Sequence, residues 1–335
     1  MIYEQDRVSL VIPVYNRENV IEECIRSVFA QSHHNFEIII VDDGSSDNTY
    51  SICEKLAAKD SRIKLYASEH VGVSAARNIA LSHVSGEYVF FLDSDDVIHP
   101  FLLETLVVGM KKNNASIGAT DVFRIMDQNW HKVKEKLAEH NFVGEITSHT
   151  ADEVIDAAFN HPSPLGCIGG VMMRRDLIAD TKFHTGIYIG EDFYFIYKNI
   201  IKGATGVFLK QKWYFVRNHA SNTSWDYSFN GFWTRFYRRK LVWEREESFG
   251  RTRYANREKN AAFGCATLCM ERSKPRSKDG KWIRKTLKEY RKALFPAFGF
   301  KSKILYLAAI YFPELALWVL RIRKQSEIRK KRKRA

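Results

Sequence analysis

Paired cysteines are missing from this chain. The five cysteines, Cys24, Cys53, Cys167, Cys265 and Cys269, are an odd number and none stands in a C-x-x-C pair. They read as small apolar core residues in a reducing cytosol. Glycine-rich phosphate loops are missing too. The first apolar run ends in PVYNREN rather than G-x-G-x-x-G, and G-x-x-x-x-G-K-[ST] occurs nowhere. Neither a Rossmann dinucleotide site nor a P-loop is supported. No apolar run reaches the ~20 residues that span a bilayer. The strongest, ILYLAAIYFPELALWVL (304–320), is shorter and broken by Pro313-Glu314. Met1 to Arg7 is charged, so no signal peptide is expected. No internal repeat, aromatic-basic RNA motif or recognition-helix pattern is evident.

What the chain does have is 335 residues, 45% of them hydrophobic. That is enough for one large domain with an appendage or for two smaller domains. Net charge is +13, unevenly spread. RIRKQSEIRKKRKRA (321–335) carries nine Lys/Arg against one Glu and so supplies eight of the thirteen charges. A tail of this kind is expected to be solvated and to bind phosphates of nucleic acid or anionic lipid. Together with 304–320, read as two short helices lying in a membrane surface, it predicts peripheral membrane association. The competing reading of 304–320 is a core or oligomer helix pair, which leaves a homo-oligomer open.

Apolar runs and helical stripes alternate over the first hundred residues. VSLVIPVYN (8–16) reads as a buried strand entering a loop. RENVIEECIRSVFAQS (17–32) carries Val20, Ile21, Cys24, Ile25, Val28 and Phe29 on one stripe. FEIIIVDDGSSDNT (36–49) is a second strand and an acidic loop. YSICEKLAAKD is a helix, IKLYAS a strand, GVSAARNIALSHV (72–84) a helix and EYVFFLD a fourth strand. Strand–helix alternation predicts an α/β fold whose sheet is wound with helices. Ligands of such sheets bind at the carboxyl ends of the strands. Tyr15, Asp42, Asp43 and Asp93 to Asp96 all fall there. Farther on, CIGGVMMRRDLI and KWYFVRN read as strands, 231–297 as mostly helix, and RSKPRSKDGK (272–281) as a linker.

YVFFLDSDD (88–96) runs a strand into three carboxylates, Asp93, Asp95 and Asp96. Such a cluster is costly unless a cation or donor neutralises it, and a bound metal ion is the plainest answer. Asp42-Asp43 alone would pass as turn chemistry. With the second acidic cluster two strands on, a shared site is the better reading. An aspartate can read an N–H of a uracil ring or the hydroxyls of a ribose, and Tyr15 could stack on a base. Arg77, on the third helix, could face a phosphate or form a surface salt bridge.

VSLVIPVYNRENVIEECIRSVFAQS, EIIIVDDGSSDNT, GVSAARNIAL and GEYVFFLDSDD, in this order and spacing, resemble family 2 glycosyltransferases of the GT-A fold. GGVMMRRDLI and GIYIGEDFYF resemble that family's acceptor half. The resemblance spans roughly residues 5 to 225. It implies a GT-A nucleotide-sugar-binding fold, a mostly parallel sheet flanked by helices, with a helical C-terminal extension. The implied parts are 1–120 (nucleotide-sugar half), 121–230 (acceptor half), 231–298 (helical extension) and 299–335 (membrane-associating helices and basic tail). It implies that Tyr15 and Asp43 hold the uridine base, with Pro13, Asp42 and Arg77 in the same site, and that Asp93 contacts the ribose. Asp95, assisted by Asp96, would hold Mn2+ or Mg2+. Arg217 and His219 fall where relatives often place phosphate- or metal-contacting groups. Asp192 would be the catalytic base, with Glu191 positioning the acceptor or the loop of Asp192. The competing reading of Asp192 is a helix N-cap.

The implied activity is inverting transfer of a sugar from a UDP-sugar to a hydroxyl of a glycan or lipid-linked glycan, at the cytoplasmic face of the membrane. Capsule, exopolysaccharide, lipopolysaccharide or teichoic acid synthesis would be the setting. Two other classes compete. A phospho-acceptor domain is also doubly wound, but it needs an acidic pair after its first strand, where this chain has PVYN. A nucleic-acid-binding protein could use the basic tail, though a tail alone gives only nonspecific binding.

Overall fold

The computed structural model describes residues 4–137, 144–160, 163–218, 228–273, 277–316 and 319–320. They divide into two compact units. One comprises the described residues up to Thr185 with Glu191 to Asn218. The other comprises Gly186–Gly190 with the described residues from Ser228 on.

The first unit is built on one sheet. Strand β1 (Glu4–Val14) is followed by α1 (Ile21–Phe29), β2 (Phe36–Asp42), α2 (Thr49–Lys59), β3 (Ile63–Ala67), α3 (Val73–Leu81) and β4 (Gly86–Phe91). The sequence alternation is therefore met element for element. α1 starts later than its apolar stripe suggests, because Val20 and Ile21 donate back to the Arg17 carbonyl in a turn before the helix. β1 and β2 are buried on both faces from Val8 and Phe36 onward, as continuous runs of Val, Ile and Leu in parallel strands should be. These strands pair in parallel in the order β3-β2-β1-β4. Phospho-acceptor domains use 2-1-3-4-5, so this order overturns that alternative.

β1 stays paired with β2 as far as Val14–Asp42, but its last pair with β4 is Val11–Phe91. Beyond that point the strands part. Pro13, which has no N–H to donate, stands where one side of the strand has no partner. The parting lies between β1 and β4, where the strand order reverses. In open α/β sheets that switch point is where ligands bind.

The second half of the sheet is mixed. It adds β5 (Val97–Ile98), α4 (Leu102–Lys112), β6 (Ile117–Met126), a 3-10 turn (Asp127–Lys132), α5 (Val133–Leu137), β7 (Ile146–His149), α6 (Ala151–Phe159), β8 (Val171–Arg174), α7 (Arg175–Ile178), α8 (Glu191–Ile200) and β9 (Gly206–Asn218). β8 runs antiparallel to both β4 and β6, while β9 runs parallel to β6. The expected strand over CIGGVMMRRDLI shrinks to four residues before a helical turn. The one over KWYFVRN is the second half of a strand of 13 residues.

Glu37, in β2, is fully buried. Its carboxylate accepts from Ser9 Oγ (2.6 Å), Ser85 N (2.6 Å), Ser85 Oγ (2.8 Å) and Lys64 Nζ (2.7 Å). Burial alone would push its pKa up. The Lys64, Ser9 and Ser85 hydrogen bonds outweigh burial and hold it at about 2. A depressed folded pKa gives stability that is complete above the unfolded value, about 4.3, and is lost as pH falls toward 2. Glu37→Gln should therefore destabilise by about 1–3 kcal/mol at pH 7, and by clearly less at pH 3. Urea unfolding of both proteins at the two pH values checks it; a pH-independent gap would show that the charge contributes nothing.

The second unit is helical: α9 (Phe229–Ser248), α10 (Thr252–Ser273), α11 (Lys278–Glu289), α12 (Arg291–Leu294), a 3-10 turn (Phe295–Ala297) and α13 (Phe300–Tyr311). Ser277 caps α11, so helices enter the expected linker from both sides; residues 274–276 lie outside the description. Of the apolar segment 304–320, Leu305, Tyr306, Ala309 and Ala316 are core, packed with Phe263, Ala266 and Phe298. Ile304, Tyr311, Phe312 and Leu315 are exposed. Part of the segment expected to lie in a membrane surface is thus the core of this unit. No helix among the described residues is long and apolar enough to cross a membrane. The basic tail lies outside the described residues.

Candidate active site

Three chain segments carry the site at the carboxyl edge of β1, β2 and β4, and a fourth enters from α8.

Tyr15 follows β1 and is half exposed, its ring 4.2 Å from that of His70. Asn16 adopts positive φ (50°), and its side-chain carbonyl accepts the Ser46 N–H at 2.8 Å. The DDGSS loop closes on itself through Asp42 Oδ1, which accepts the Ser45 N–H at 2.9 Å. The other oxygen, Asp42 Oδ2, is buried without a hydrogen-bond partner among the described residues. Asp43 is buried and accepts from Val71 N (2.7 Å), Gly72 N (2.8 Å) and Ser68 Oγ (2.8 Å). It thus binds the β2 loop to the entrance of α3. Gly72 makes that entrance at φ 88°, in the left-handed region that favours glycine.

The turn after β4 holds Asp93, Ser94, Asp95 and Asp96. Asp93 is partly exposed. Asp95 lies 3.3 Å from Arg17 Nε. Asp96 is buried, and its carboxylate accepts the Arg217 N–H at 2.9 Å. Burial first, then the charges of Asp95 and Asp93, push the Asp96 pKa well up. The carboxylates of the turn therefore raise the cost of ionising Asp96.

Arg77 is buried rather than a surface salt bridge. Its guanidinium is buried, with Nη2 2.9 Å from Asp93 Oδ1 and Nη1 2.9 Å from Glu191 Oε1, over the Phe183 ring. Desolvation opposes the charge, but Asp93, Glu191 and Asp192 more than compensate and hold the guanidinium protonated. The next residue, Asn78, binds the Phe183 backbone at both groups: Phe183 N donates to Oδ1 (2.8 Å) and Nδ2 donates to the carbonyl (3.0 Å). Helix α3 is thus the clasp between the β4 turn and the segment leading to α8.

Glu191 and Asp192 open α8. Both stand inside its first turn, so Asp192 is not an N-cap. Its Oδ1 accepts the Phe193 N–H at 2.6 Å. Glu191 is the more buried, and burial together with the Asp192 charge outweighs Arg77, pushing its carboxyl to about 7.

Arg217 enters the site through its backbone. Its guanidinium binds Glu23 (2.5 Å) and Asp127 (3.1 Å) and lies 4.0 Å over the Trp130 ring. His219 lies outside the described residues. Sequence reading did not single out Arg17, His70, Asn78 or Phe183. Of these, Asn78 stood in the quoted GVSAARNIAL, and its neighbour Arg77 was the available signal.

Whether this turn suits a divalent cation can be tested on its donors. Among the described residues no group of three His, Cys, Asp or Glu is arranged to hold a metal alone. Asp95 and Asp96 offer oxygen only, in a turn of three carboxylates. That suits Mg2+ or Mn2+, which are held by one or two carboxylates and complete their shells with phosphate oxygens and water.

Residues 9–181 match the family model described as Glycosyl transferase family 2. Glycosyltransferase GlyA of Streptococcus pneumoniae is 39% identical over 118 residues, 35% of this chain and 17% of that protein. The Escherichia coli UDP-Glc:alpha-D-GlcNAc-diphosphoundecaprenol beta-1,3-glucosyltransferase WfgD is 44% identical over 110 residues, 32% of this chain and 43% of that one. The chain thus matches less than half the length of either relative. Among solved structures, S. aureus TarS 1–349 superposes with a TM-score of 0.67 at 19% identity, over 90% of this chain and 86% of that one. Its complex with UDP-GlcNAc gives 0.56 at 19% identity, over 93% and 83%. The fold is the expected GT-A arrangement with a helical C-terminal region, and the chain belongs to glycosyl transferase family 2.

Proposed function

We propose that the chain transfers a sugar from a UDP-sugar to a hydroxyl of a growing glycan or lipid-linked glycan, with inversion and with a divalent cation. One observation carries this reading. The β1, β2 and β4 ends bring Tyr15, Asp43 and the Asp93–Asp96 turn to the switch point of the sheet, and Arg77 ties that turn to the acidic pair of α8. Two relatives support the donor class: WfgD is named for UDP-Glc and TarS for its UDP-GlcNAc complex.

In this reading Tyr15 and Asp43 hold the uracil, and Asp93 holds the ribose. Asp95 with Asp96 would hold Mn2+ or Mg2+, which when bound neutralises the charge of the departing diphosphate. Direct displacement at the anomeric carbon needs a group to take the acceptor hydroxyl's proton. Asp192 takes it, and Glu191, fixed by Arg77, holds the start of α8 in place. The discriminating experiment is a panel of UDP-sugars incubated with Mn2+ and no acceptor, with UDP release followed for each. Release above the spontaneous rate from one donor is expected. No release and no UDP binding with any donor would overturn the reading.

The setting we propose is bacterial surface-polysaccharide synthesis at the cytoplasmic face of the membrane. Exposed Ile304, Tyr311, Phe312 and Leu315 supply apolar contact, and residues 321–335 attract anionic headgroups. Because Leu305 and Tyr306 are core, removing 299–335 whole would damage the helical unit. The clean variant combines Ile304→Gln, Phe312→Gln and Leu315→Gln with deletion of 321–335. It should lose flotation with phosphatidylglycerol vesicles, whereas high salt should release the wild type only in part. Wild-type protein that does not float with these vesicles at low salt would refute the membrane assignment.

A further inference from the structure

Asp93 and Asp96 are the two ends of a tight turn, closed by the Asp96 N–H on the Asp93 carbonyl at 3.1 Å. Three carboxylates in such a turn repel one another, so donors from outside must fix their directions. One side chain reaches both ends. Tyr214, fully buried in β9, accepts the Asp93 N–H at its hydroxyl (3.0 Å), and the Asp96 carboxylate lies beside it. Three residues on along β9, the Arg217 N–H supplies Asp96 with a donor.

The ring has a prepared seat. A Cβ on Gly169 would lie 2.7 Å from Tyr214 Cζ and 2.8 Å from its hydroxyl oxygen. Gly170, at φ +82°, would bring a Cβ within 3.3 Å of Tyr214 Cβ. The glycine pair ahead of β8 therefore admits the tyrosine. Phenylalanine would fill the same space. The hydroxyl is accordingly explained by the Asp93 N–H it accepts and by the Asp96 carboxylate beside it, since a buried phenol needs partners.

We propose that Tyr214 is a positioning residue for the Asp93–Asp96 turn, setting the carboxylates so that a divalent cation and a nucleoside diphosphate are taken up together, and that Gly169 is its seat. This rests on the nucleotide-sugar reading above. Tyr214→Phe keeps the packing and removes the hydroxyl. Gly169→Ala keeps the hydroxyl and displaces the ring. Tyr306→Phe, which removes a buried hydroxyl bonded to the Leu287 carbonyl in the helical unit, is the control for a merely structural loss.

Titration calorimetry of UDP with and without MnCl2, and melting without ligand, separate the roles. Tyr214→Phe and Gly169→Ala should each weaken Mn2+-dependent UDP binding by about tenfold, the scale of leaving one buried N–H donor unsatisfied. They should also raise the Mn2+ concentration at half-saturation, while Tyr306→Phe lowers only the melting temperature. Tyr214→Phe that melts lower yet binds UDP and Mn2+ as the wild type does would overturn the proposal. If that variant does not fold, Gly169→Ala with unchanged metal-dependent binding overturns it equally. Wild-type protein without Mn2+-dependent UDP binding would remove the nucleotide-sugar reading and this proposal together, so the two failures are told apart by the wild type.

Discussion

Asp192→Asn should lower sugar transfer by about 10²–10⁴-fold, the usual contribution of a general base, while UDP–Mn2+ affinity stays within about twofold of wild type. The change is nearly isosteric. The amide oxygen can still accept the Phe193 N–H that Asp192 Oδ1 accepts, so the first turn of α8 should survive. What disappears is a group able to take a proton. Rate and affinity are measured separately, by acceptor-dependent UDP release and by calorimetry. A variant that binds UDP normally and transfers at more than about a tenth of the wild-type rate would exclude Asp192 and move the role to Glu191 or another acceptor-side group. Glu191 is the natural second choice, because burial holds its carboxyl near neutrality, at about 7. Its engagement with Arg77 at 2.9 Å speaks for holding the segment rather than for meeting an acceptor.

Asp95→Asn should abolish the metal-dependent part of UDP binding, with the apo protein folded and at least as stable. The stability direction follows from the turn itself. Asp96 is buried, and its raised pKa owes part of its rise to Asp95 and Asp93, so removing one charge relieves repulsion. The Arg17 contact at 3.3 Å is partly solvated, and losing it should cost little. Calorimetric UDP titrations with and without Mn2+, alongside melting curves, test both halves. Metal-dependent affinity that survives in the variant would remove Asp95 from the cation site.

The first four strands and their helices were legible because each is written locally. Continuous apolar runs mark β1, β2 and β4 as buried strands, and these runs give way to Asn16, Asp42 and Asp93. The Asp42, Asp43 and Asp93–Asp96 positions followed from strand ends alone. Beyond residue 120 the pattern loosened because β6 and β9 are long strands whose pairing shifts register between Thr120 and Val122, so no single alternation runs through them. Contacts made across the fold were invisible. Arg77 and Glu191 are 114 residues apart, and Tyr214 and Asp93 are 121 apart. In sequence Tyr214 is one aromatic in a strand. Arg217 stood out as a charge, yet it is the backbone N–H that reaches Asp96, and no motif encodes which part of a residue is used.

The clasp made by α3 bears on how this chain could be recombined with relatives. A graft that exchanges the acceptor-side segment for another would naturally be cut between β4 and β8. Such a cut leaves Arg77 and Asn78 with the recipient and takes Phe183 and Glu191 from the donor. A buried guanidinium deprived of one carboxylate partner is a severe defect, costing about 3–5 kcal/mol, and lysine would not restore a bidentate grip. Working hybrids should therefore carry α3 together with the stretch from Phe183 to Glu191 as one inherited block, although more than a hundred residues separate them in the chain.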